Sequence, residues 1–345
     1  MYKDKNILIT GGLGFLGSNL ARRLLELGAN ITLLDNLNPL YGGNIFNVND
    51  ISEKVEIVIG DIRNEDALKP IIKKADFIFH LAAQVSYIDS ISMPYDDLDI
   101  NARATLTLCE LCRKYNRDVK IVFTSSRMVL GKIDGTVFDE ASPTNPLSLY
   151  GTHKLTAEKY LLMYYKDFGI RSSIFRITNP YGPRQQMKHN KYSLLGWFIR
   201  QAMENSTIRI FGDGDQIRDY VYIDDMVEPM QIISDQQESD GEIINLGSGT
   251  GTRFKDMVKT VVDIVGSGNI EFVPWPEDYE KVETGHSIAD ISKLKKLSDY
   301  TPEYDLSSGI EKTYLYYQKY LNKYIDITEL EKQGLYSQIS KTSMT

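Results

Sequence analysis

The stretch TGGLGFLGSN, residues 10–19, decides the fold. It follows the apolar run KNILIT (5–10), which is typical of a buried strand, and it opens SNLARRLLELGA (18–29), which has helical periodicity. A glycine-rich turn between a strand and a helix lets the backbone approach a pyrophosphate, and the free N–H groups of the helix then hold the anion. The stretch therefore indicates a dinucleotide site, against the alternative of a tight turn that binds nothing.

Two glycine spacings overlap in this turn. Gly12, Gly14 and Gly17 give GxGxxG, whereas Gly11, Gly14 and Gly17 give GxxGxxG. A glycine triplet alone is weak evidence, but here it stands between a strand and a helix, as dinucleotide binding requires. Both spacings predict the same site.

Acidic residues end the next two β-rich runs. Asp35 ends NITLLD (30–35), about 20 residues beyond the glycines, where a carboxylate accepts hydrogen bonds from a ribose 2′-hydroxyl. An acidic side chain would repel a 2′-phosphate, and Asn36 beside it offers no cation, so the sequence favours NAD over NADP. Asp61, in GDIR, either takes the adenine amino group or caps the following helix.

Strand and helix patterns alternate through the first half of the chain. Further β-rich runs are KVEIVIGD (54–61), ADFIFHLAA (75–83), DVKIVFTSS (118–126) and IRSSIFRIT (170–178). They are nearly continuous in apolar residues, as strands covered on both faces should be, and helical stretches separate them. This pattern predicts an α/β fold with a doubly wound parallel (Rossmann-type) sheet.

The pattern changes after residue 178. We predict an NAD-binding domain at 1–178 with later returns near 208–250, and a smaller, discontinuous C-terminal substrate domain mostly at 179–325. The second domain should lie over the carboxyl ends of the strands, where such folds bind ligands. Residues 326–345 are predicted to be a polar C-terminal tail.

Composition narrows the classes of function. The chain has 345 residues, of which 42% are hydrophobic, and a net charge of -8, which argues against nucleic acid as a partner. We expect no membrane span and no leader, and hence a cytoplasmic protein. Cys109 and Cys112 form CELC without a second Cys or His pair, so buried core thiols are favoured and no metal is predicted.

Two later segments carry candidate chemistry. TSSRMVLG (124–131) places hydroxyls at a strand end, and Tyr150 and Lys154 lie four apart on a predicted helix, so they share a face. A lysine ammonium near a phenol lowers the pKa of the phenol, which makes tyrosine a usable base near neutral pH.

Over about residues 4–320 the chain resembles the extended short-chain dehydrogenase/reductase family, in its nucleotide-sugar epimerase and dehydratase branch. The resemblance rests on motifs that occur in one order. They are TGGLGFLGSNLA, LLDNL, GDIR, FHLAAQ, YGTHK, FRITNPYGPRQ, FGDGDQIRDYVYIDD, INLGSG and ADISKL.

The resemblance implies a catalytic trio of Ser126 as hydroxyl, Tyr150 as base and Lys154, which also holds the nicotinamide ribose; Asn101 would support the lysine through a water. The implied NAD-binding residues are Gly11, Gly14, Phe15, Leu16, Gly17, Asp35, Asn36, Asp61, Ile62, Leu81, Ala82, Ala83, Asn101, Tyr150 and Lys154. His80 directly precedes Leu81, Ala82 and Ala83 in the chain. It either lies along the cofactor or is a packing histidine.

The substrate implied by the resemblance is a nucleotide-diphosphate sugar. Its implied binding residues are Gln84, Ser126, Arg127, Asn179, Arg184 and Arg218. Asn179 and Arg218 match positions that hold the diphosphate. The alternatives are an inter-domain hydrogen bond for Asn179 and an ion pair of Arg218 with Asp219 or Asp224, and Arg184 fits either role.

The residues after Ser126 select among reactions. The branch's 4,6-dehydratases carry an Asp-Glu pair there and its uronate decarboxylases a glutamate at the second position, but this chain has Arg127 and Met128. Elimination is therefore disfavoured. We predict a 4-epimerase that oxidises C4 transiently and returns the hydride, with a C4 dehydrogenase or 4-ketoreductase as the alternative and a non-catalytic NAD-sensing regulator as a further one.

Several points stay open. Arg127 contacts a substrate carboxylate or an extra hydroxyl, or it points to solvent or pairs with Asp134 or Asp139. PWPEDYEK offers only Lys281 where relatives have an arginine, so the nucleotide is undetermined. The resemblance also implies polysaccharide biosynthesis and a homodimer through a four-helix bundle of ARATLTLCELCRKY and LTAEKYLLMYYKDFG.

Overall fold

The computed structural model describes residues 2–38, 41–192 and 194–325. The polar tail predicted at 326–345 lies outside the described residues. Within the described part, no helix is both long enough and apolar enough to cross a bilayer.

The described residues form fourteen strands and thirteen α-helices. The strands are β1 Asn6–Thr10, β2 Asn30–Asp35, β3 Glu56–Ile59, β4 Phe77–His80, β5 Lys120–Ser126, β6 Val137–Phe138, β7 Arg171–Ile177, β8 Asn179–Tyr181, β9 Thr207–Phe211, β10 Ile217–Tyr222, β11 Glu242–Leu246, β12 Gly251–Arg253, β13 Asn269–Val273 and β14 Ile288–Ala289. The helices are α1 Phe15–Glu26, α2 Glu65–Ile72, α3 Asp89–Ser92, α4 Pro94–Leu98, α5 Ala104–Tyr115, α6 Leu149–Phe168, α7 Leu194–Met203, α8 Ile223–Ser234, α9 Phe254–Val265, α10 Glu277–Lys281, α11 Ser292–Ser298, α12 Leu306–Tyr320 and α13 Asn322–Ile325.

A seven-stranded parallel sheet forms the centre of the molecule. Its strand order is β11-β7-β5-β4-β1-β2-β3. The order runs outward in both directions from the β1/β4 pair, so the chain reverses its winding there, and ligands bind beyond the carboxyl ends of the strands at such a point. The predicted doubly wound parallel sheet is confirmed.

Helices cover both faces of this sheet. Along β1, Ile7 and Ile9 enter one apolar core and Leu8 enters the other, because successive side chains of a strand point to opposite faces. The first core also takes α1 and α8, and the second takes α2, α5 and α6. The near-continuous apolar runs of the sequence therefore follow from burial on both faces.

Smaller sheets are formed mostly by the second half of the chain. They are β12-β10-β8, the parallel pair β13-β9 and the parallel pair β14-β6. The same half of the chain returns to the central sheet at β11, which pairs with β7. The domain boundaries near 178 and 325 stay a prediction, because strands of the second half belong to both kinds of sheet.

Candidate active site

The glycine turn lies at the carboxyl end of β1 and lines a cavity of about 660 Å³. Gly11 has φ +69°, and a Cβ there would lie 2.9 Å from the backbone nitrogen of Ala82 on the neighbouring β4 side. A Cβ at Gly17 would collide with the carbonyl oxygen of Gly11, so α1 can pack closely on β1 only with glycine here. Gly11, Gly14 and Gly17 line the cavity, so GxxGxxG is the spacing that the cavity uses.

Asp35 ends β2 beside this turn. Its two carboxylate oxygens accept hydrogen bonds from the backbone nitrogens of Leu13 (3.1 Å) and Leu37 (2.9 Å). Burial raises the pKa of Asp35, and these two hydrogen bonds oppose the rise. The carboxylate is thus held in place on the cavity wall, with acceptor capacity left for a ribose hydroxyl.

Asp61 lies next to Asn36 at the same end of the cavity. It accepts hydrogen bonds from Asn36 (3.0 Å) and from the guanidinium of Arg63 (2.8 Å). The alternative of a helix cap for Asp61 is wrong, because Asn64 caps α2 by accepting from the backbone nitrogens of Asp66 and Ala67. Asp61 lies on the wall with the neighbouring Ile62, and both of its carboxylate oxygens accept hydrogen bonds from Arg63 or Asn36.

The end of β4 supplies the next part of the wall, through Leu81, Ala82 and Ala83. His80 just before them is buried between strands, with Nδ1 2.9 Å from the Thr10 hydroxyl and Nε2 3.1 Å from the Thr105 hydroxyl. Burial lowers the pKa of His80 to about 3, so the ring is neutral. His80 is a packing histidine, and it is not part of the cavity wall described for this protein.

Ser126 and Tyr150 meet on the cavity wall. The first turn of α6 begins after Ser148, which caps it, and Gly151 leaves room for the Met128 carbonyl beneath. This close packing sets the Tyr150 hydroxyl against Ser126. Burial raises the pKa of Tyr150, while the hydrogen bond with Ser126 and the nearby positive charge of Arg127 lower it.

Lys154 lies behind this pair and is buried. Its ammonium donates to the Thr124 carbonyl at 3.0 Å and lies 4.6 Å from the centre of the Phe123 ring. Burial lowers the pKa of Lys154 to about 8, and Asp97 and Glu158 oppose the shift. Lys154 was expected to lower the pKa of Tyr150. These contacts do not produce that effect, because the Lys154 ammonium is turned to Thr124 and burial has the largest influence on the pKa of the phenol.

Asn101 and Gln84 also lie behind the wall. Asn101, in the π-helical turn Asp99–Arg103, donates to the Gln84 carbonyl at 2.9 Å. Its Oδ1 is buried and has no hydrogen-bond partner among the described residues, which fits an acceptor that serves Lys154 indirectly. The Gln84 side chain is used within its own turn, at Ser86, and does not line the described cavity.

The far end of the cavity contains Asn179 and Arg218. The amide of Asn179 donates to the Asp219 carbonyl at 2.8 Å. Asn179 therefore makes a hydrogen bond within the protein, which was the alternative to diphosphate binding. The ion pair of Arg218 with Asp219 or Asp224 is wrong, because Arg218 pairs with Glu283 and also donates to the Gly285 carbonyl. Asp219 instead accepts from the Ser248 hydroxyl, at 2.7 Å.

Arg127 faces the same region. Its guanidinium donates to the Thr284 hydroxyl at 2.7 Å. Arg127 neither points to solvent nor pairs with Asp134 or Asp139, so these alternatives are wrong. Its side chain lines the cavity and reaches Thr284 on the opposite wall. Burial lowers the pKa of Arg127 to about 10, as does the nearby Arg218.

Arg184 lies away from the cavity. Its guanidinium donates to Asn19 on α1 at 2.8 Å and lies 5.5 Å from the centre of the Tyr316 ring. In this structure it joins α1 to α12, and it is not on the described cavity wall. Lys281 is also not on the described wall, and it forms an exposed ion pair with Glu277.

An aromatic part of the wall was not predicted from the sequence. Phe211 lies 5.6 Å from Trp275 and 5.4 Å from Tyr279, measured between ring centres, and all three line the cavity. Rings grouped in this way offer a stacking surface for a planar base. Trp275 and Tyr279 stand in the quoted segment PWPEDYEK, so the signal was present, although nothing in the sequence shows that β9 and this segment meet.

The cofactor end of the cavity fits NAD. The turn at Gly11 packs so closely on the Ala82 backbone that a Cβ would clash there, α1 begins at the turn, and Asp35 presents an acid to a ribose. The fold and this cavity define a dinucleotide-dependent enzyme, with Ser126 and Tyr150 on the cavity wall and Lys154 behind them.

Comparison with known proteins narrows this class. The model of the family described as NAD dependent epimerase/dehydratase matches residues 7–247. UDP-glucose 4-epimerase of Mycolicibacterium smegmatis is 32% identical over 311 residues, which are 89% of this chain and 96% of that protein. The chain therefore belongs to the NAD dependent epimerase/dehydratase family, its cofactor is NAD, and it is an enzyme of the extended short-chain dehydrogenase/reductase type.

Solved structures agree with this assignment. UDP-glucose 4-epimerase of Thermotoga maritima with UDP-glucose is 30% identical, with a TM-score of 0.82 over 92% of this chain and 99% of that chain. dTDP-glucose 4,6-dehydratase of Bacillus anthracis in complex with NAD is 28% identical, with a TM-score of 0.81 over 93% of this chain and 98% of that chain. The family resemblance is thus confirmed, and epimerases and dehydratases are similar to the chain to nearly the same degree.

Proposed function

We propose that this protein is an NAD-dependent nucleotide-sugar 4-epimerase. The observation that carries the proposal is the absence of a free acid or base beside the Ser126–Tyr150 pair in the described cavity wall. Its carboxylates are Asp35 and Asp61 at the cofactor end and Glu283, which pairs with Arg218. Loss of water or of carbon dioxide needs further acid or base groups, whereas oxidation and re-reduction at C4 need only the central pair.

The roles of the residues follow from their positions. Tyr150 would take the proton of the C4 hydroxyl, and Ser126 would donate a hydrogen bond to the oxygen as it becomes a ketone. Bound NAD would supply the acceptor, and then the donor, of the hydride. Lys154 would hold the nicotinamide ribose from behind, supported by the orphan oxygen of Asn101.

The phenol of Tyr150 must lose its proton in a buried place. Burial raises its pKa, so nearby positive charge has to stabilise the phenolate. Arg127 lies close enough to lower the pKa of Tyr150, and Lys154 lies one helical turn further along α6. Arg127 is therefore the side chain whose charge supports Tyr150 as a base, whereas the Lys154 ammonium is turned to the Thr124 carbonyl.

The substrate would lie along the remaining cavity. Arg218 and Asn179 would bind the diphosphate, with Arg218 exchanging Glu283 for phosphate, and the rings of Phe211, Trp275 and Tyr279 would stack on the base. We extend the proposal to a homodimer formed through α5 and α6, to the cytoplasm as the location, and to a role in polysaccharide biosynthesis. These extensions rest on the family resemblance.

Product mass tests the proposed reaction. Purified protein is incubated separately with UDP-galactose, UDP-glucuronate and GDP-mannose, with no cofactor added, and the products are read by mass spectrometry and proton NMR. We expect a product of unchanged mass with inverted C4 in at least one tube, and none from Tyr150→Phe, which should still bind NAD. A product lighter by water, carbon dioxide or two hydrogens, or a dependence on added NAD, would contradict the proposal.

A further inference from the structure

A compact group of charged and polar side chains lies where the two walls of the cavity meet. We call it the arginine cluster, and it consists of Arg127, Arg218, Glu283 and Thr284. Arg127 comes from the turn after β5 and Arg218 from β10, while Glu283 and Thr284 belong to the segment between α10 and β14. All four line the cavity, so a bound substrate can reach them.

The charges of the arginine cluster do not balance. Glu283 pairs with Arg218, and it is the carboxylate that the structure describes in this part of the wall. The hydrogen bond that the structure describes for the Arg127 side chain goes to a neutral partner, the Thr284 hydroxyl, at 2.7 Å. One guanidinium is thus left without a matching carboxylate in a partly buried place on the cavity wall, which is unfavourable unless an anion joins it.

Two tyrosines add further capacity for hydrogen bonding. The charges of Arg127 and Arg218 act on the hydroxyls of both Tyr87 and Tyr220, and both rings line the cavity. The Tyr220 hydroxyl is buried and has no hydrogen-bond partner among the described residues. A donor without a partner beside a cation without a counter-ion is a fitting place for an oxygen-rich anion.

We propose that Arg127 binds a carboxylate carried by the sugar, so that the substrate is a nucleotide-linked uronate. This inference rests on the proposed function, which places C4 of the sugar at Ser126. Arg127 is the next residue of the chain, and the ring carbon C5 beside C4 carries the exocyclic carbon that is a carboxylate in uronates. A guanidinium fixed at its far side by Thr284 can meet that carboxylate with its remaining N–H groups.

The diphosphate of the nucleotide is the other anion within the substrate. The position of Arg127 favours the sugar, because its backbone is joined directly to that of Ser126, whereas Arg218 stands on the separate β12-β10-β8 sheet. If Arg127 held the diphosphate instead, its removal would weaken the binding of any nucleotide to a similar degree. The two sources of negative charge can therefore be separated by binding measurements.

Calorimetry with matched ligands tests the inference. The pairs are UDP-glucuronate with UDP-glucose and GDP-mannuronate with GDP-mannose, and UDP alone is the diphosphate probe. The variants are Arg127→Met, Arg127→Lys and Thr284→Val. Arg117→Met is the matched control, because Arg117 is an exposed arginine that follows α5 and precedes the amino end of β5. Binding is measured in place of turnover because Arg127 also acts on the pKa of Tyr150.

We expect the unmodified protein to bind at least one uronate roughly tenfold or more tightly than its neutral partner. Arg127→Met should lose roughly 10- to 100-fold for that uronate, as loss of a charge-assisted hydrogen-bonded pair does, and change binding of the neutral sugar and UDP by less than about threefold. Arg127→Lys and Thr284→Val should lose less, and Arg117→Met should match the unmodified protein.

Three outcomes would overturn the inference. They are equal affinity of each uronate and its neutral partner, an equal loss for uronate, neutral sugar and UDP in Arg127→Met, and no loss in that variant. The proposed function fails separately. A uronate that binds through Arg127 without giving a 4-epimer would contradict only the epimerase, and neutral sugars that are epimerised without a preference for uronates would contradict only the inference.

Discussion

At the scale of single residues, Tyr150 and Lys154 show what the spacing of two residues in the sequence can predict about a site. The four-residue interval placed both side chains on one face of α6, and both are buried at the site. It could not show that Lys154 turns to the Thr124 carbonyl, because that contact depends on the path of β5. Arg184 shows the same limit. Its sequence motif suggested that it binds the substrate, whereas in the structure its guanidinium contacts Asn19 and the Tyr316 ring.

The burial of Lys154 leads to a prediction about stability and pH. Its pKa falls from 10.5 to about 8 in the folded protein. Below about pH 8 both states are charged, and the full cost of burying the ammonium is present. Between about pH 8 and 10.5 the unfolded state binds more protons, so the unfolding free energy rises with pH in this window.

Lys154→Met removes this titration. From pH 7 to pH 10, the unfolding free energy of the unmodified protein should rise by ~2 kcal/mol relative to that of Lys154→Met, as a shift of this size requires. Urea denaturation of both proteins at the two pH values measures the difference. A constant difference would show that the ammonium is not destabilised by burial.

At the scale of secondary-structure elements, the first half of the chain was the more predictable. Strands β1 to β5 and β7 match apolar runs that the sequence displays, because their side chains enter the apolar cores on the two faces of the sheet, although β3 at the sheet edge is only partly buried. The short strands β8, β12 and β14 have two or three residues each, too few for a period to be read. The wall segments that these strands position, including Glu283 and Thr284, could therefore not be predicted.

The contact between α1 and β1 gives a prediction at this scale. Gly17→Ala adds a Cβ that meets the Gly11 carbonyl oxygen and lies 2.8 Å from Gly12 Cα, both of them backbone atoms. The helix must shift, and we expect a loss of ~2 kcal/mol in unfolding free energy, as overpacking typically costs, with weaker NAD binding. In Gly14→Ala the nearest atom is 3.2 Å away, so the loss should be smaller.

Thermal and urea denaturation of the two variants, with titration of NAD, measure this difference. Equal stability of Gly17→Ala and the unmodified protein would contradict the close packing of α1 on the turn.

At the scale of the whole molecule, the site is formed by segments that are far apart in the sequence. Residues from the ends of β1, β2, β4 and β5 face the segment around residues 275–284 across one cavity. The net charge of -8 argued against a nucleic-acid partner, but it could not reveal two arginines brought together beside one glutamate. Local charge at a site depends on the fold, whereas net charge depends only on composition.

The outer surface of α6 leads to a prediction about assembly. Met163 on α6 is 55% exposed, as is expected of an apolar residue that a second copy of the chain would cover. Met163→Arg should therefore give monomers, because a charge would be buried in the four-helix bundle. Leu315→Arg is the matched control, since Leu315 on α12 is 54% exposed and lies on a different helix.

Sedimentation velocity of the three proteins reports the outcome. We expect dimers of the unmodified protein and of Leu315→Arg. A monomeric unmodified protein, or a dimeric Met163→Arg, would contradict an interface through this surface of α6.

The fate of the C4 hydrogen tests the central claim most directly. UDP-glucuronate and UDP-glucose that carry deuterium at C4 are incubated separately with the protein as purified, without added cofactor, and the products are followed by proton and deuterium NMR. The proposed function predicts a 4-epimer that keeps deuterium at C4, because the hydride that leaves this carbon returns to it. A 4-epimer that has lost deuterium from C4 would contradict it.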